Sequence, residues 1–149
     1  MQPLNLPSYP FNIFKEGEKY KILDPIRNKR LILTPEEWVR QHIIMYLVNE
    51  KGFPKGLLRI ETGVRSGQRS GRTDAVFYDR GGNPMLLVEC KAPSVKLGPE
   101  TFHQAARYNN ELNAQFVLLT NGLDHMVMNL AIQEKQILTL SELPHYKYI

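Results

Sequence analysis

The sequence is nearly devoid of cysteine: Cys90 is the single one among 149 residues, so no disulfide can form within the chain. Because disulfides are typical of secreted proteins, this scarcity favours a reducing, cytoplasmic location. A long hydrophobic run is missing as well, since none approaches the ~20 residues that span a bilayer. The first ten residues lack a basic start followed by an apolar core, so we expect neither a signal peptide nor a membrane partner.

A strong excess of either charge is also absent, because 19 lysine and arginine residues face 15 acidic residues, for a net charge of +4. This mild excess permits a polyanionic partner without requiring one. With 42% hydrophobic and 23% charged residues, the composition is typical of a globular protein and excludes a disordered chain. A length of 149 residues predicts a single domain and excludes a large motor within the chain.

Local patterns predict a mixed α/β fold around one sheet. Residues 1–33 form a proline-rich arm and a strand pair, residues 34–122 the core, and residues 123–149 the C-terminal strands. Short apolar runs bounded by turn residues are typical of strands. They occur at residues 20–23, 31–33, 57–64, 74–78, 85–90, 115–120, 126–130 and 136–140.

Two helices are predicted between these strands. Thr34 is a suitable N-cap, Pro35 fits the first helical position, and Glu37 completes a capping box, so a helix should run from there to about Asn49. The apolar positions of Pro99–Leu112 repeat with helical spacing, which predicts the second helix.

One hairpin gathers charged side chains. The pair Gly81-Gly82 can supply the positive φ angles of a tight turn, and counting outward from it places Asp74 opposite Glu89, with Lys91 on the same face. Opposed side chains lie about 5 Å apart, where two carboxylates repel by roughly 3 kcal/mol at an effective dielectric near 20. Two explanations stay open: a divalent cation such as Mg²⁺ that binds both acids, or a solvated salt bridge with the lysine.

A family resemblance bears on this choice. Asp74 followed by Glu89-Cys90-Lys91 resembles the motif of the PD-(D/E)XK nucleases, with Thr73 in place of the proline. The wider chain resembles the N-terminal nuclease domain of type I restriction enzyme R subunits, without the translocase that follows it there. The motifs that carry this resemblance lie between about Leu31 and Gly122: Thr34-Pro-Glu-Glu-Trp-Val-Arg-Gln41, Arg72-Thr-Asp74, Leu87-Val-Glu-Cys-Lys-Ala-Pro93, Gln104-Ala-Ala-Arg-Tyr108 and Leu119-Thr-Asn-Gly122.

The resemblance implies both a fold and a metal site. The fold is a restriction-endonuclease-like core, in which helices flank a central mixed β-sheet. Asp74, Glu89 and the backbone carbonyl of Cys90 would bind Mg²⁺, with Mn²⁺ as a substitute. Lys91 would stabilise the attacking hydroxide or the charge that develops on the phosphate.

Four polar residues on the two helices could belong to the same site. Glu37 is interpreted either as a further catalytic acid, as in related nucleases, or as the helix cap. Gln41 lies one turn later on the same stripe and could line the cleft with Glu37, although we expect it on a solvated helix face. Gln104 and Tyr108 are four residues apart and hence neighbours on a helix. They resemble an accessory motif of related nucleases that helps to position DNA, and a half-exposed helix face is the alternative.

A basic loop is predicted from Gly63 to Arg72. Its arginines Arg65, Arg69 and Arg72 have no acidic neighbour within the loop, so they could bind backbone phosphates of DNA. A flexible surface linker is the alternative.

Together these features favour Mg²⁺-dependent hydrolysis of DNA phosphodiester bonds. The alternative is a DNA-binding or partner-docking module that retains the nuclease fold without turnover, and a third possibility is a structural protein whose hairpin charges form a salt bridge. A motor or specificity subunit on another chain is the partner that the resemblance implies, besides DNA itself.

Overall fold

The computed structural model describes residues 1–66, 69–131 and 136–149, and at 61–66 and 69–73 the description covers the backbone only. Its first sheet is a small antiparallel one with strand order β1-β2-β3. These strands are β1 (Ile13–Glu16), β2 (Lys19–Asp24) and β3 (Lys29–Ile32). The predicted strand pair is therefore confirmed, and the sequence patterns missed β1 beside it.

The second sheet has six strands in the order β4-β5-β6-β7-β8-β9. All neighbours are antiparallel except β6 and β7, which are parallel. The elements after the small sheet are α1 (Pro35–Asn49), β4 (Leu58–Ser66), β5 (Arg69–Tyr78), β6 (Pro84–Cys90), α2 (Pro99–Leu112), β7 (Phe116–Thr120), β8 (His125–Asn129) and β9 (Gln136–Leu138), with short 3₁₀ helices at Lys55–Leu57 and Tyr146–Tyr148. This is the mixed α/β fold with a central mixed sheet that the sequence predicts.

The two helices cover opposite faces of the large sheet. Val39, Ile43 and Leu47 of α1 are fully buried in a core with one set of strand residues. Ala105 of α2 packs in a second core with Val117 and the alternate strand residues. Because successive strand residues point to opposite faces, the sheet lies between two apolar layers. Among the described residues, no helix is long and apolar enough to cross a bilayer.

The start of α1 matches the predicted cap in part. The Thr34 hydroxyl accepts a hydrogen bond from the Glu37 backbone N–H at 3.1 Å, as an N-cap should. The return bond of a capping box is replaced, because the Thr34 N–H donates to the Ile32 carbonyl at 3.1 Å. The Glu37 side chain is consequently available to other partners.

The β5–β6 hairpin has the predicted register. Ala75 pairs with Val88 and Phe77 with Leu86, and one further step along both strands brings Asp74 beside Glu89. The pairing shifts after Phe77, so the irregularity lies at the turn and leaves the acidic end of the hairpin in register.

The predicted loop from Gly63 to Arg72 is wrong. The backbone pairs Thr62 with Thr73 and Ser66 with Arg69, so β4 and β5 continue as a long hairpin. The expected loop rested on glycine, serine and arginine content without apolar alternation. A hairpin extension is held by backbone hydrogen bonds, which that composition does not reveal.

Candidate active site

One cleft brings together the acids, the lysine and the helix polar residues that the sequence singled out. Its volume is about 570 Å³, and it lies where the end of β6 meets the beginning of α1 and the middle of α2. The side chains that line it include Glu37, Asp74, Glu89, Lys91, Gln104 and Tyr108, together with Glu36, Arg40 and Cys90.

Asp74 is held by the neighbouring strand. Its Oδ2 atom accepts a hydrogen bond of 2.7 Å from the Cys90 backbone N–H, and Arg40 Nη1 lies 3.8 Å from its Oδ1 atom. Burial raises the pKa of Asp74 to about 6, although the bond from Cys90 and the charges of Arg40 and Lys91 act in the opposite direction. The carboxylate is thus oriented but carries its charge at a cost in free energy.

The charged form of Glu89 is disfavoured even more strongly than that of Asp74. The residue is 3% exposed, and no described residue forms a hydrogen bond with its Oε1 atom. Burial, followed by the charge of Asp74, raises its pKa to about 8, against the opposing charge of Lys91. A buried polar atom without a partner is rare in folded proteins, so this oxygen is a candidate ligand atom.

Cys90 contributes backbone rather than thiol chemistry. Its side chain points into the α1-side core and is 1% exposed, as strand alternation predicts. Burial raises the pKa of the thiol well above its ordinary value, which keeps it protonated and poorly nucleophilic. The residue therefore holds Asp74 through its N–H while its carbonyl remains the candidate metal ligand.

Lys91 is connected to the helix α2. Its Nζ atom donates to Gln104 Oε1 at 2.7 Å, and Gln104 Nε2 donates to the Tyr108 hydroxyl at 3.3 Å. The Lys91 backbone N–H donates to the Thr120 carbonyl at 2.8 Å. The predicted accessory pair thus lies next to the hairpin, and its contact is with the lysine.

Glu37 lies in the cleft but both of its oxygens have partners. Oε1 accepts from Gln41 Nε2 at 2.7 Å, and Oε2 forms an ion pair with Arg40. The expectation that Gln41 lies on a solvated face is wrong, since the residue is 2% exposed. A buried carboxylate needs donors, and Gln41 supplies one of them.

Arg40 and Glu36 were missed by sequence reasoning. The signal for Arg40 was an arginine beside Val39 on the buried side of an apolar helix, since such a charge requires an acidic partner. Glu36 lies at the cleft edge, and its charge raises the pKa of both Asp74 and Glu89.

The arginines Arg65, Arg69 and Arg72 lie on β4 and β5. Their side chains fall outside the described residues, so their predicted contact with DNA phosphates stays a prediction.

A second cavity lies away from these charged residues. It has a volume of about 600 Å³ and is lined by apolar and amide side chains, among them Phe102, Asn109 and Met128. No carboxylate or lysine is found among the described residues that line it. The charged cleft is therefore the better candidate for chemistry at a phosphate.

Chemically, the cleft presents two facing carboxylates, a carbonyl and an anchored lysine. Within the described part of the chain, no three His, Cys, Asp or Glu side chains form a ready metal cage. A cation here would take the two acids and the carbonyl from the protein, with water or substrate as the remaining ligands. That donor set, all oxygen with open positions, suits Mg²⁺.

Two solved structures resemble this chain. A fragment of a proposed HsdR subunit of a type I restriction enzyme from Vibrio vulnificus YJ016 has a similar fold, with a TM-score of 0.54 and 21% identity. The match covers 71% of this chain and 23% of the Vibrio chain, so this chain spans a minor part of that protein's length. A proposed nuclease from Anabaena variabilis ATCC 29413 aligns with a TM-score of 0.45 and 13% identity, over 85% of this chain and 80% of its own.

No curated protein matches the chain. A family model does: the one described as Type I restriction enzyme R protein N terminus (HSDR_N) matches residues 35–144. These residues begin with α1 and include both helices and the whole six-stranded sheet. The match covers most of the chain, and it contains every residue described above in the cleft. The chain therefore belongs to the family of type I restriction enzyme R protein N-termini.

Proposed function

We propose that this domain is a Mg²⁺-dependent nuclease that hydrolyses DNA phosphodiester bonds. The observation that carries the proposal is the buried Glu89 carboxyl, whose Oε1 atom has no described partner and which faces a second acid. An ion pair would have satisfied that oxygen if the cluster were merely structural. A ligand position for a cation explains why the oxygen is kept without a donor.

Asp74, Glu89 and the Cys90 carbonyl are the residues that would hold the metal ion. When bound, Mg²⁺ lowers the pKa of a water ligand and stabilises the charge that develops on phosphate. The protein's part is orientation, because the Cys90 N–H fixes the Asp74 carboxylate by a bond of 2.7 Å. Burial excludes bulk water from Glu89, so electrostatic interactions in the cleft are stronger than at a surface.

Lys91 is proposed to act on the phosphate. Its charge lies on the face of the hairpin that carries both acids, and its bond to Gln104 holds the side chain across the cleft from α1. A positioned cation stabilises the charge that grows on the phosphate during attack. Gln104 and Tyr108 would then position the lysine and the nearby DNA backbone together.

Plasmid nicking in the presence of Mg²⁺ tests the proposal. Glu89→Ala and Lys91→Ala should each reduce the rate by about a hundredfold or more, as expected when one stabilising group is removed from a transition state. Glu111→Ala and Lys55→Ala remove an acid and a lysine that are exposed, and they should leave the rate unchanged. EDTA should abolish nicking, and Mn²⁺ should restore it.

The same assay separates the alternative function. Wild-type rates in both cleft variants, with folds intact by circular dichroism, would contradict the assigned site. DNA binding without nicking in the wild type would favour the non-catalytic module. Because the Vibrio relative is described as a subunit of a type I restriction enzyme, a motor or specificity subunit on another chain is the proposed partner, and co-purification would reveal it.

A further inference from the structure

A row of alternating charges connects the small N-terminal sheet to the proposed metal site. It runs from Asp24 through Arg27, Glu37 and Arg40 to Asp74. Its first two members lie at and just after the end of β2, outside the residues that match the family model. The small sheet thus reaches the cleft by way of charged side chains.

Asp24 fixes the direction of Arg27. Asp24 is 1% exposed, and its Oδ1 atom accepts hydrogen bonds from the backbone N–H groups of Ile26 at 2.8 Å and Arg27 at 3.1 Å. Its Oδ2 atom accepts from Arg27 Nε at 2.6 Å. One carboxylate therefore organises both the turn after β2 and the guanidinium that leaves it.

Arg27 then reaches across to α1. Its Nη2 atom lies 3.9 Å from Glu37 Oε1, and the two side chains are 18% and 6% exposed. Glu37 is also the ion-pair partner of Arg40, whose Nη1 atom lies 3.8 Å from Asp74 Oδ1. Arg40 therefore contacts both Glu37 and Asp74.

We propose that Arg27 is a positioning residue of the metal site, and this inference rests on the proposed function above. By balancing part of the charge of Glu37, it leaves Arg40 able to face Asp74 as well. Without Arg27, Glu37 attracts Arg40 more strongly and Asp74 loses the cation beside its Oδ1 atom. The carboxylate is then less well oriented and binds Mg²⁺ more weakly.

The sign of the effect distinguishes positioning from simple electrostatics. Removing a cation near a metal site strengthens the binding of Mg²⁺ if charge alone matters. Loss of orientation weakens it, and outer partners of metal ligands typically affect affinity by about 10- to 100-fold. Since Arg27 acts through two intermediates, we expect Arg27→Ala to weaken Mg²⁺ binding by about tenfold, at the lower end of that range.

Calorimetric titration of the whole chain with Mg²⁺ tests this prediction. Arg30→Ala is the matched control, because Arg30 belongs to the same small sheet but pairs with Glu16 at the surface; its affinity should equal the wild-type value. In a Glu37→Gln background, Arg27→Ala should have no further effect, since the path through Glu37 is already broken. A purely structural role of Arg27 would give no such coupling.

Arg27→Gln serves if Arg27→Ala does not fold, because the amide can still donate to Asp24 without a charge. Unchanged or tighter Mg²⁺ binding in the folded variant would overturn the positioning role. The positioning role would also be overturned if Arg27→Ala still weakened Mg²⁺ binding tenfold in the Glu37→Gln background. The variant Glu89→Gln separates the two proposals. If Glu89→Gln binds Mg²⁺ with the wild-type affinity, the proposed function fails. If Glu89→Gln does not bind Mg²⁺ but Arg27→Ala binds it with the wild-type affinity, only the positioning role of Arg27 is refuted.

Discussion

Glu89→Gln should stabilise the metal-free protein. The unfolded chain ionises this carboxyl near its ordinary pKa of 4.5, whereas burial and Asp74 raise the folded-state pKa to about 8. The stability that the neutral carboxyl contributes is therefore complete below pH 4.5 and is lost as the pH rises through 8. Glutamine cannot ionise, so the variant avoids this loss.

The size of the effect follows from the pKa. One pKa unit corresponds to about 1.4 kcal/mol, so at pH 7 the wild type has lost roughly 3 kcal/mol relative to pH 4.5. The buried amide still lacks a full set of partners, which costs about 1 kcal/mol. The net gain of about 2 kcal/mol should raise the Tm by about 4–8 °C for a domain of this size.

At sufficient Mg²⁺ concentration, the wild type should become more stable than Glu89→Gln. A cation that binds only the folded wild type stabilises it by about 1.4 kcal/mol at ten times its Kd, and by more as its concentration rises. The variant lacks one of the two carboxylates and should show no Mg²⁺-dependent shift. Thermal unfolding at pH 7, first with EDTA and then over a Mg²⁺ series, measures both effects.

Glu111→Gln is the control, because it changes an exposed glutamate of α2. It should change neither the Tm in EDTA nor the rise in Tm with Mg²⁺. The reasoning is refuted if Glu89→Gln is less stable than the wild type in EDTA. It is equally refuted if the variant keeps the full Mg²⁺-dependent rise in Tm, since the ion would then bind elsewhere.

Three further outcomes are expected. Mg²⁺ affinity should rise by up to tenfold per pH unit between about pH 6 and 8 and level off above, because Glu89 must lose its proton to bind; a flat calorimetric profile would contradict this. Thr34→Ala should destabilise the protein by about 1 kcal/mol in denaturant titration through loss of the helix cap, and Thr34→Ser should restore most of it. Gly122→Ala should destabilise by about 1–3 kcal/mol, because Gly122 has a φ of +84° and a Cβ there would lie 2.7 Å from Leu4 Cδ2 and 3.0 Å from Val39 Cγ2; a Tm within 1 °C of wild type would count against that strain.

The hairpin that carries the acids could be predicted because its determinants are local. Two glycines mark the turn, and strand alternation then decides which side chains share a face. From these alone, Asp74 and Glu89 come together, and Lys91 joins them. The start of α1 at Thr34-Pro35 is local in the same way.

The partners of those residues could not be predicted because they depend on contacts between distant segments. Arg40 becomes a neighbour of Asp74 only when α1 packs on the large sheet. Gln41 is buried with Glu37, to which it donates a hydrogen bond, whereas the sequence favoured a solvated helix face for Gln41 and left a helix cap open for Glu37. β1 was missed for a related reason, since four residues beside a proline-rich arm carry little pattern of their own.

The parallel pairing of β6 with β7 bears on the order of folding. The β5–β6 hairpin joins neighbouring segments and can close in about 1–10 μs. The β6–β7 pair must wait for α2 to cross the sheet, because parallel strands need a long connection. The two acids are thus brought together by a local hairpin, whereas the α2 wall of the cleft belongs to the long crossover between β6 and β7.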